Sequence, residues 1–488
     1  MDRTINKPEV GTIDTAILLA SSGVFNLGGG AAPSGVGPLT RVGGLTLFQR
    51  TVFTLQRGGI SQILALVGEE ERALRSLIRP DDRVQAAVRW LPVREFPPAD
   101  PQTWEALENE IKGSCLILGC YLVFSPSLVE LLREEGRDGR VVIAVGSPGD
   151  GGWSDNPGVV TRVDPNRSDR IQTVVFYDPR EPTSEPASPF APAMDLVILP
   201  SRLLGISGAL KTPETGPIRL ALEQAAAEGV IQTVTASPNG YLDTRRPHGP
   251  RLAERLLLRS LQTVQGGLDG IVDRYVNRRL SGFFTRLFIK LGLSPNAVTI
   301  LSMLIGLVGA GFFALGSYQL GIIGALLFQL SVIIDCCDGE IARLTFSESR
   351  FGQELDILAD NVVHMAIFSG IAWGAFVEET GSHTYEPLLL GAIAVVANGF
   401  CLWLINQVRH LKARPVRWRQ LPGWQRTRLE FILSHVANRD FSVIVLLFAC
   451  FGMLPWFLWL GAVGSCLFVL TLAWTLRQVF LSHPSASA

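Results

Sequence analysis

Four aspartates are spaced so that their carboxylates could hold metal ions. They form two pairs, Asp335 with Asp338 and Asp356 with Asp360, on the ends of two very apolar segments. On a helix, residues three or four apart project from one face, so each pair presents two carboxylates together. Two such faces meeting across a short loop make an oxygen-rich cage, which hard divalent cations such as Mg²⁺ require. Carboxylates beside a bilayer are costly unless paired or metal-bound, so we interpret the four as a site rather than as solvated acids or helix caps.

The residues around these aspartates form a longer pattern. From 335 to 360 the chain reads D-x2-D-G-x2-A-R-x8-G-x3-D-x3-D. This pattern resembles the signature of the CDP-alcohol phosphotransferases, also called CDP-alcohol phosphatidyltransferases, and matches it at every signature position. The resemblance implies a membrane enzyme that moves a phospho-alcohol group from a CDP-alcohol to an acceptor hydroxyl and releases CMP.

The same resemblance assigns roles to individual residues. It implies that two Mg²⁺ or Mn²⁺ ions are held by Asp335, Asp338, Asp356 and Asp360, and that Asp360 is also the general base. The CDP-alcohol is expected to bind beside Gly339, Ala342, Arg343, Gly352, Pro295 and Asn296. Gly339 has no side chain, which would let the nucleotide approach the helix closely. For the acceptor, the best pair is Arg439 with Asp440, since most other cations between 409 and 439 are expected to set membrane topology.

The composition of the chain excludes several classes of function. Its 488 residues carry a formal net charge of −1, and no basic tract predicts a nucleic-acid partner. The cysteines number seven, most in apolar surroundings and without CxxC spacing, so neither a disulfide framework nor a zinc site is indicated. The first residues show no charged-then-apolar leader, so we expect no cleaved signal peptide.

Residues 1–250 predict an α/β domain. The apolar runs Ala16–Ala20 and Ile63–Val67 flank a glycine-rich stretch and an amphipathic segment, Leu47–Arg57, which is the order of a βαβ unit. Further strands are predicted at Cys115–Leu118, Val141–Val145, Thr173–Phe176 and Leu196–Leu199. The Pro-, Gly- and Asp-rich stretch Ser147–Pro165 is predicted to be an exposed loop.

This order of features resembles the sugar-phosphate nucleotidyltransferases, whose fold is Rossmann-like, from about Thr12 to Leu258. The resemblance implies a basic residue in the glycine loop, but no Lys or Arg occurs between Ala20 and Arg41. It also implies a metal-binding aspartate after a glycine at the end of a central strand, where this chain has Gly119-Cys120. Only Asp243 matches an acidic position of that family. We therefore expect a degenerate domain that serves as a scaffold, a dimerisation surface or a small-ligand sensor; a working site that retains Arg41 and Asp243 is the alternative.

Residues 251–294 predict a linker and an interfacial amphipathic helix. Its apolar stripe and flanking cations are Leu280, Phe283, Phe284, Leu287 and Phe288 with Arg278, Arg279, Arg286 and Lys290. A basic amphipathic helix of this kind lies in a membrane interface, with anionic lipid as a contact. Residues in this segment and the order of the two halves also resemble bifunctional members that fuse an inositol-phosphate cytidylyltransferase to a di-myo-inositol-phosphate-phosphate synthase.

Residues 295–488 predict an all-α integral membrane domain with six transmembrane helices. A helix needs about 20 apolar residues to cross a bilayer. The six predicted spans are Val298–Leu315, Leu320–Ile334, Ile357–Val377, Leu388–Val408, Phe441–Leu454 and Phe457–Leu476. Lys and Arg concentrate between 409 and 439, so the positive-inside bias places the N-terminal domain and the aspartates on the cytoplasmic side of the cytoplasmic (inner) membrane. The resemblance further implies a homodimer.

Three functions are consistent with these observations to different degrees. The first is a CDP-alcohol phosphotransferase with a donor of the CDP-inositol or CDP-diacylglycerol type and an alcohol or phospho-polyol acceptor. The alternatives are a bifunctional enzyme that also makes its CDP-alcohol in the N-terminal domain, and a membrane protein that senses a nucleotide or polyol phosphate. A transporter is disfavoured because the acids lie at one face of the membrane rather than at its midplane.

Overall fold

The structure is a computed structural model, and the chain divides into two compact units, Met1–Ser260 and Leu261–Ala488. The structure describes residues 13–21, 35–98, 100–146, 158–164, 167–177, 190–207, 221–222, 225, 231–237, 240–245, 248–265, 278–378, 384–412 and 441–481. We describe each unit by itself.

The first unit is built on a large mixed β-sheet. Its strands are β1 (Thr15–Ala20), β2 (Arg41–Val42), β3 (Leu45–Thr46), β4 (Gln62–Val67), β5 (Ala87–Pro92), β6 (Ser114–Gly119), β7 (Leu122–Phe124), β8 (Val141–Val145), β9 (Gly158–Asp164), β10 (Arg167–Tyr177), β11 (Phe190–Pro200), β12 (Ile231–Thr235) and β13 (Tyr241–Asp243). The main sheet has the order β5-β4-β1-β6-β11-β8-β12-β10-β9, and β7 pairs separately with β13. Strands β5, β4, β1 and β6 run parallel, while β11 runs antiparallel to both of its neighbours, β6 and β8.

Helices cover this sheet on both faces. They are α1 (Leu47–Arg57), α2 (Glu71–Ile78), α3 (Pro101–Glu110), α4 (Pro126–Glu135), α5 (Leu204–Ser207) and α6 (Gly249–Gln265). Along β1, Ala16 and Leu18 belong to one buried apolar cluster, and Ile17 and Leu19 belong to another on the opposite face. A strand buried on both faces needs apolar residues at every position, which explains why the predicted strands are continuous apolar runs.

The predicted α/β fold class is confirmed, with one local correction. Helix α1 has the predicted bounds because Thr46 caps it: its side chain accepts from the Gln49 amide at 3.2 Å, and the Gln49 side chain accepts from the Thr46 amide at 3.2 Å. The predicted loop Ser147–Pro165 is wrong for its second part, since Gly158–Asp164 is strand β9, paired antiparallel with β10. The valines of β9 favour a strand in spite of the preceding glycines and prolines.

The second unit is helical throughout its described residues. Its helices are α7 (Arg278–Lys290), α8 (Pro295–Ala314), α9 (Tyr318–Leu344), α10 (Arg350–Glu378), α11 (Glu386–Lys412), α12 (Phe441–Cys450) and α13 (Leu454–Leu481). Within the described part of the chain, five helices are long and apolar enough to cross a membrane: α8, α9, α10, α11 and α13. Helix α12 has 10 residues, about 15 Å at 1.5 Å per residue. It is too short to cross by itself, so the six-span count stays a prediction.

The outer surfaces of these helices are apolar. Large side chains such as Leu304, Leu326, Val396 and Leu470 are more than half exposed. On a water-soluble protein such contiguous apolar surface would promote association, whereas lipid tails solvate it. Together with the length of the spans, this surface marks the second unit as part of an integral membrane protein.

Glycines let α8 approach both α9 and α10 closely. A Cβ added at Gly324 of α9 would lie 2.8 Å from the carbonyl oxygen of Gly309, on α8. On α10, a Cβ at Gly370 would lie 2.3 Å from the Ala310 oxygen, and one at Gly374 would lie 2.1 Å from the Phe313 oxygen. Small residues at helix interfaces permit this backbone contact in membranes. The same packing holds α8 against the aspartate-bearing helices.

Replacing Gly374 with Ala is expected to destabilise the second unit. The new methyl group would meet the Phe313 carbonyl oxygen, so α8 and α10 must move apart, at a cost of about 1–3 kcal/mol typical of overpacked interiors. Thermal unfolding of the detergent-solubilised protein measures the effect. Gly464→Ala on α13 is the matched control, because a Cβ there would meet nothing within 4 Å. Equal midpoints for the two variants would contradict the packing argument.

Candidate functional site

Three of the four predicted aspartates come together between α9 and α10. One carboxylate oxygen each from Asp335, Asp338 and Asp356 lies within 4.8 Å of the other two. Asp335 and Asp338 are buried at 5% and 7% exposure on α9, and Asp356 is half-buried on α10. Two oxygens on opposite sides of one Mg²⁺ are about 4.2 Å apart, since each Mg–O distance is about 2.1 Å. The three carboxylates therefore fit a hard divalent cation in donor chemistry, and their limit of 4.8 Å is close to the distance between opposite ligands of Mg²⁺.

The fourth aspartate, Asp360, lies next to this cluster. It is half-buried one helical turn beyond Asp356, and it lines a small cavity with Asp335. Ser302, Ser331 and His364 line the same cavity, so polar side chains surround it on three helices. Asp360 is not one of the three residues whose oxygens cluster most closely. The geometry thus distinguishes it from the other three acids.

Two hydroxyl residues on α8 lie against the aspartates of α9. The Thr299 hydroxyl donates to Oδ2 of Asp338. The Ser302 hydroxyl donates to the Thr299 carbonyl oxygen at 2.8 Å and lies 3.4 Å from Oδ1 of Asp335. Thr299 and Ser302 are three residues apart, as are Asp335 and Asp338, so two antiparallel helices match them pairwise. Sequence reasoning missed these partners, although the shared spacing of three residues is visible in the sequence. Hydrogen-bond partners of this kind orient metal-binding carboxylates and affect their affinity for the metal.

Thr299→Val is expected to weaken the site without changing its shape. The variant keeps the volume of the side chain but removes the hydroxyl donor to Asp338, and loss of an outer partner of this kind typically costs about 10–100-fold in metal affinity or activity. Mn²⁺ affinity of the purified protein is the measurement. Thr299→Ser keeps the hydroxyl and should behave as wild type. A Thr299→Val protein with wild-type affinity would show that the contact has no such role.

The residues predicted to contact the nucleotide lie around the aspartates. The Arg343 guanidinium folds back along α9, so that its terminal nitrogens lie 3.3 Å from a Cβ added at Gly339. A Cβ at Gly352 would lie 3.0 Å from Oδ1 of Asn296, which brings the start of α10 next to the start of α8. Pro295 is the first residue of α8, which Ser294 caps, and Ala342 is half-buried on α9. Arg439 and Asp440 lie outside the described residues.

A third buried carboxylate on α9 attaches the amphipathic helix α7. Glu340 is 1% exposed; its Oε1 accepts from the Ser281 hydroxyl at 2.8 Å and its Oε2 from the Thr285 hydroxyl at 2.7 Å. Ser281 and Thr285 are one turn apart on α7, so both oxygens of one carboxylate are bound by one helical face. Glu340 lies two residues after Asp338, and this attachment therefore holds α7 beside the aspartate cluster. The sequence pattern had left Glu340 without a role.

Comparison with known proteins connects this geometry to a family. The sequence profile of the CDP-alcohol phosphatidyltransferases matches residues 293–475, which include the whole aspartate cluster. The protein named bifunctional IPC transferase and DIPP synthase from Rubrobacter xylanophilus is 31% identical over 376 residues, covering 73% of this chain and 77% of its own length. A protein of the same name from Thermococcus kodakarensis is 25% identical, covering 59% of this chain and 62% of its own length.

Among solved structures, the inositol-1-phosphate CTP transferase from T. maritima is similar to half of the chain. It is 14% identical, with a TM-score of 0.37, over 50% of this chain and 97% of its own length.

Proposed function

Because the chain belongs to the CDP-alcohol phosphatidyltransferase family, we propose that its aspartate cluster performs the transfer of a phospho-alcohol group from a CDP-alcohol to an acceptor hydroxyl, with release of CMP. The main observation that supports placing the reaction at these residues is that three of their carboxylate oxygens lie within 4.8 Å of one another. Asp335, Asp338 and Asp356, with Asp360 beside them, would hold two divalent cations, Mg²⁺ or Mn²⁺. When bound, such ions supply the positive charge that the diphosphate of the donor needs.

The residues of the chain divide the remaining work. The acceptor oxygen attacks the phosphorus that carries the alcohol, the bond from that phosphorus to the bridging oxygen breaks, and CMP leaves with that oxygen. Asp360 accepts the proton of the acceptor hydroxyl, because it is the carboxylate set slightly apart from the cluster and faces the adjoining cavity. Arg343 lies over Gly339 and can bind a phosphate of the donor through two nitrogens. Asn296 and Gly352 lie next to each other where α8 and α10 begin, and are proposed to contact the donor there.

The names of the relatives suggest which substrates to test first. A panel that combines CDP-inositol and CDP-diacylglycerol with inositol 1-phosphate and free inositol, in the presence of Mg²⁺, covers the donor and acceptor types expected from the sequence. CMP, followed by chromatography, is expected with at least one pair and absent after chelation of divalent cations. If no pair released CMP, and CDP-ligand binding depended on residues 1–250, the sensing function would replace the catalytic one.

Two faces of α7 support its placement at the membrane surface. Phe288 is buried, while Leu280, Phe283 and Leu287 are exposed at 46%, 64% and 41%. The predicted apolar stripe is therefore shared between the interior of the unit and its surface. The exposed cations Arg279, Arg286 and Lys290 fall on the edge of the exposed apolar face. This arrangement suits a helix whose apolar face enters the lipid and whose cations meet anionic headgroups.

Anionic lipid is therefore expected to increase CMP release. Attraction of about 1 kcal/mol per cation near an anionic surface favours the seated position of α7, which Glu340 connects to the aspartate helix. Activity in vesicles of phosphatidylglycerol and phosphatidylcholine should exceed activity in phosphatidylcholine alone. The triple variant Arg279→Gln/Arg286→Gln/Lys290→Gln should lose this difference; a wild-type enzyme indifferent to lipid charge would refute the proposal.

The orientation in the membrane follows from the charged segment between 409 and 439. Its Lys and Arg residues favour the cytoplasmic side, so the aspartates and the first unit are proposed to face the cytoplasm, where CDP-linked donors are available. A cysteine introduced at Ser347, in the turn between α9 and α10, should react with a membrane-impermeant reagent in inside-out vesicles and not in intact cells. The opposite labelling pattern would reverse the topology.

A further inference from the structure

A buried ionic cluster lies at the carboxyl ends of the parallel strands, the side of the sheet where α/β proteins bind ligands. Tyr121 lies two residues after the end of β6, and Asp195 lies on β11 next to Leu196, which pairs with Leu118 of β6. Asp243 ends β13 and pairs with Leu122 of β7. These three side chains therefore meet at the carboxyl end of β6, beside β1. In open sheets with parallel strands, ligands bind outside the carboxyl ends of the strands.

An arginine from the same unit lies between the two carboxylates of this cluster. The Arg245 guanidinium is 2.8 Å from Oδ2 of Asp195 and 2.7 Å from Oδ2 of Asp243, and all three side chains are at most 7% exposed. Its carbon lies 3.7 Å from the centre of the Tyr121 ring, and the Tyr121 hydroxyl donates to Asp195. One guanidinium thus makes two ion pairs and a cation–π contact at once.

The protonation states of Arg245 and Tyr121 preserve these ion pairs and hydrogen bonds. Burial by itself would lower the pKa of Arg245, but the negative charges of Asp195 and Asp243 oppose this effect and raise the pKa, so the guanidinium stays charged. Burial and the charge of Asp195 raise the pKa of Tyr121, so its phenol stays neutral and remains a donor. Both carboxylates are therefore already paired with a cation, the Arg245 guanidinium, although its Nη1 has no hydrogen-bond partner among the described residues.

The side chains at this end of the sheet do not fit the divalent cation that a nucleotidyltransferase fold implies. A hard cation needs open carboxylate oxygens, and here Arg245 bonds to an oxygen of both aspartates while placing a positive charge between them. Cys120 stands where that fold implies an aspartate, and burial raises the pKa of its thiol, which leaves a neutral, soft group. The stretch between Ala20 and Arg41 also has no Lys or Arg to bind a triphosphate.

We infer that the Arg245 guanidinium takes the place of the divalent cation that this fold implies at the carboxyl ends of the strands. We also infer that the first unit does not transfer nucleotidyl groups. A separate reaction must then supply the CDP-alcohol: a phosphate oxygen of a phospho-alcohol attacks the α-phosphorus of CTP, the bond between the α-phosphorus and the bridging oxygen breaks, and pyrophosphate leaves. The part of this inference that concerns the donor depends on the function proposed above, whereas the part that concerns the metal does not.

The first test follows pyrophosphate with the full-length protein in lipid. With CTP, Mg²⁺ and inositol 1-phosphate, pyrophosphate release is expected to equal that without protein, and addition of a separate CTP-dependent cytidylyltransferase should start CMP formation. Pyrophosphate release by the protein alone that disappears in Asp243→Asn would overturn the inference. Failure of the proposed transfer would appear differently, as absence of CMP even with CDP-alcohols supplied.

The second test measures Mn²⁺ alone by electron paramagnetic resonance. The full-length Asp338→Asn/Asp356→Asn protein removes two acids of the membrane cluster and is expected to hold no Mn²⁺ at the first unit. Adding Arg245→Ala should create a Mn²⁺ site, which Asp243→Asn removes again and Arg245→Lys does not create. Mn²⁺ bound through Asp243 while Arg245 is intact would overturn the inference, as would a folded Arg245→Ala protein that binds none. If Arg245→Ala does not fold, the measurement with Arg245 intact still decides.

Discussion

Asp356→Asn is expected to reduce CMP release by at least about 10³-fold while the protein stays folded. Asp356 is the one carboxylate that α10 contributes to the group of three oxygens. Its loss removes the only charge in this group that comes from the second helix, so the cation would be held from one side alone. Metal charge stabilises transition states of phosphoryl transfer by several kcal/mol, and about 4 kcal/mol corresponds to that factor in rate.

Two measurements separate this effect from general damage. Mn²⁺ affinity should fall together with activity, while the midpoint of thermal unfolding without metal should not decrease. Glu354→Gln is the matched control, since it removes one carboxylate from an exposed position two residues away on the same helix. If Asp356→Asn kept wild-type turnover, or if Glu354→Gln lost as much, the metal cluster would not be the catalytic centre.

The sequence predicted those features of the fold that depend on local patterns. Strand β4 and helix α1 appear at their predicted places, because a continuous apolar run and an amphipathic segment with a capping residue are signals within one stretch of chain. Strand β9 was missed because glycine and proline before it outweighed its valines, and its partner β10 is what stabilises it. Pairing between strands is a tertiary contact, which a window of sequence does not contain.

The site shows the same division. The aspartates were predictable because two helical pairs at spacings of three and four must each share a face. Which of them lie closest was not, since that depends on how α9 and α10 cross. Arg245 is a stronger case: Asp243 is only 2 residues away, but Asp195 is 50 residues away, and only the sheet brings it next to Arg245. Sequence alone showed that expected residues were missing, whereas the structure shows what replaces them.

The apolar stripe of α7 illustrates a limit of periodicity. Helical spacing grouped Leu280, Phe283, Phe284, Leu287 and Phe288 as one face. Phe288 is buried and Phe284 half-buried, whereas the other three are exposed. A 3.6-residue period does not show which part of a broad apolar face is buried in the protein and which part is exposed on its surface. The hydroxyls of Ser281 and Thr285 decide the rotation of the helix, because their partner Glu340 is buried on α9.

Asp360→Asn is expected to lower the turnover number by about 10²–10⁴-fold, the usual contribution of a general base. The amide has nearly the same shape as the carboxylate but cannot accept the proton of the acceptor hydroxyl. Asp360 lies beside, not within, the group of three close oxygens. Affinity for Mn²⁺ should therefore fall less than in Asp356→Asn, and the KM for the CDP-alcohol should change little.

This difference between the two variants is the decisive comparison. A metal ligand and a base both abolish activity when replaced, so activity alone cannot tell them apart. If Asp360 is the base, turnover collapses in Asp360→Asn while most of the metal affinity remains. If instead Asp360→Asn loses Mn²⁺ as completely as Asp356→Asn does, loss of the metal alone explains its loss of activity, and the role of Asp360 as base loses its support.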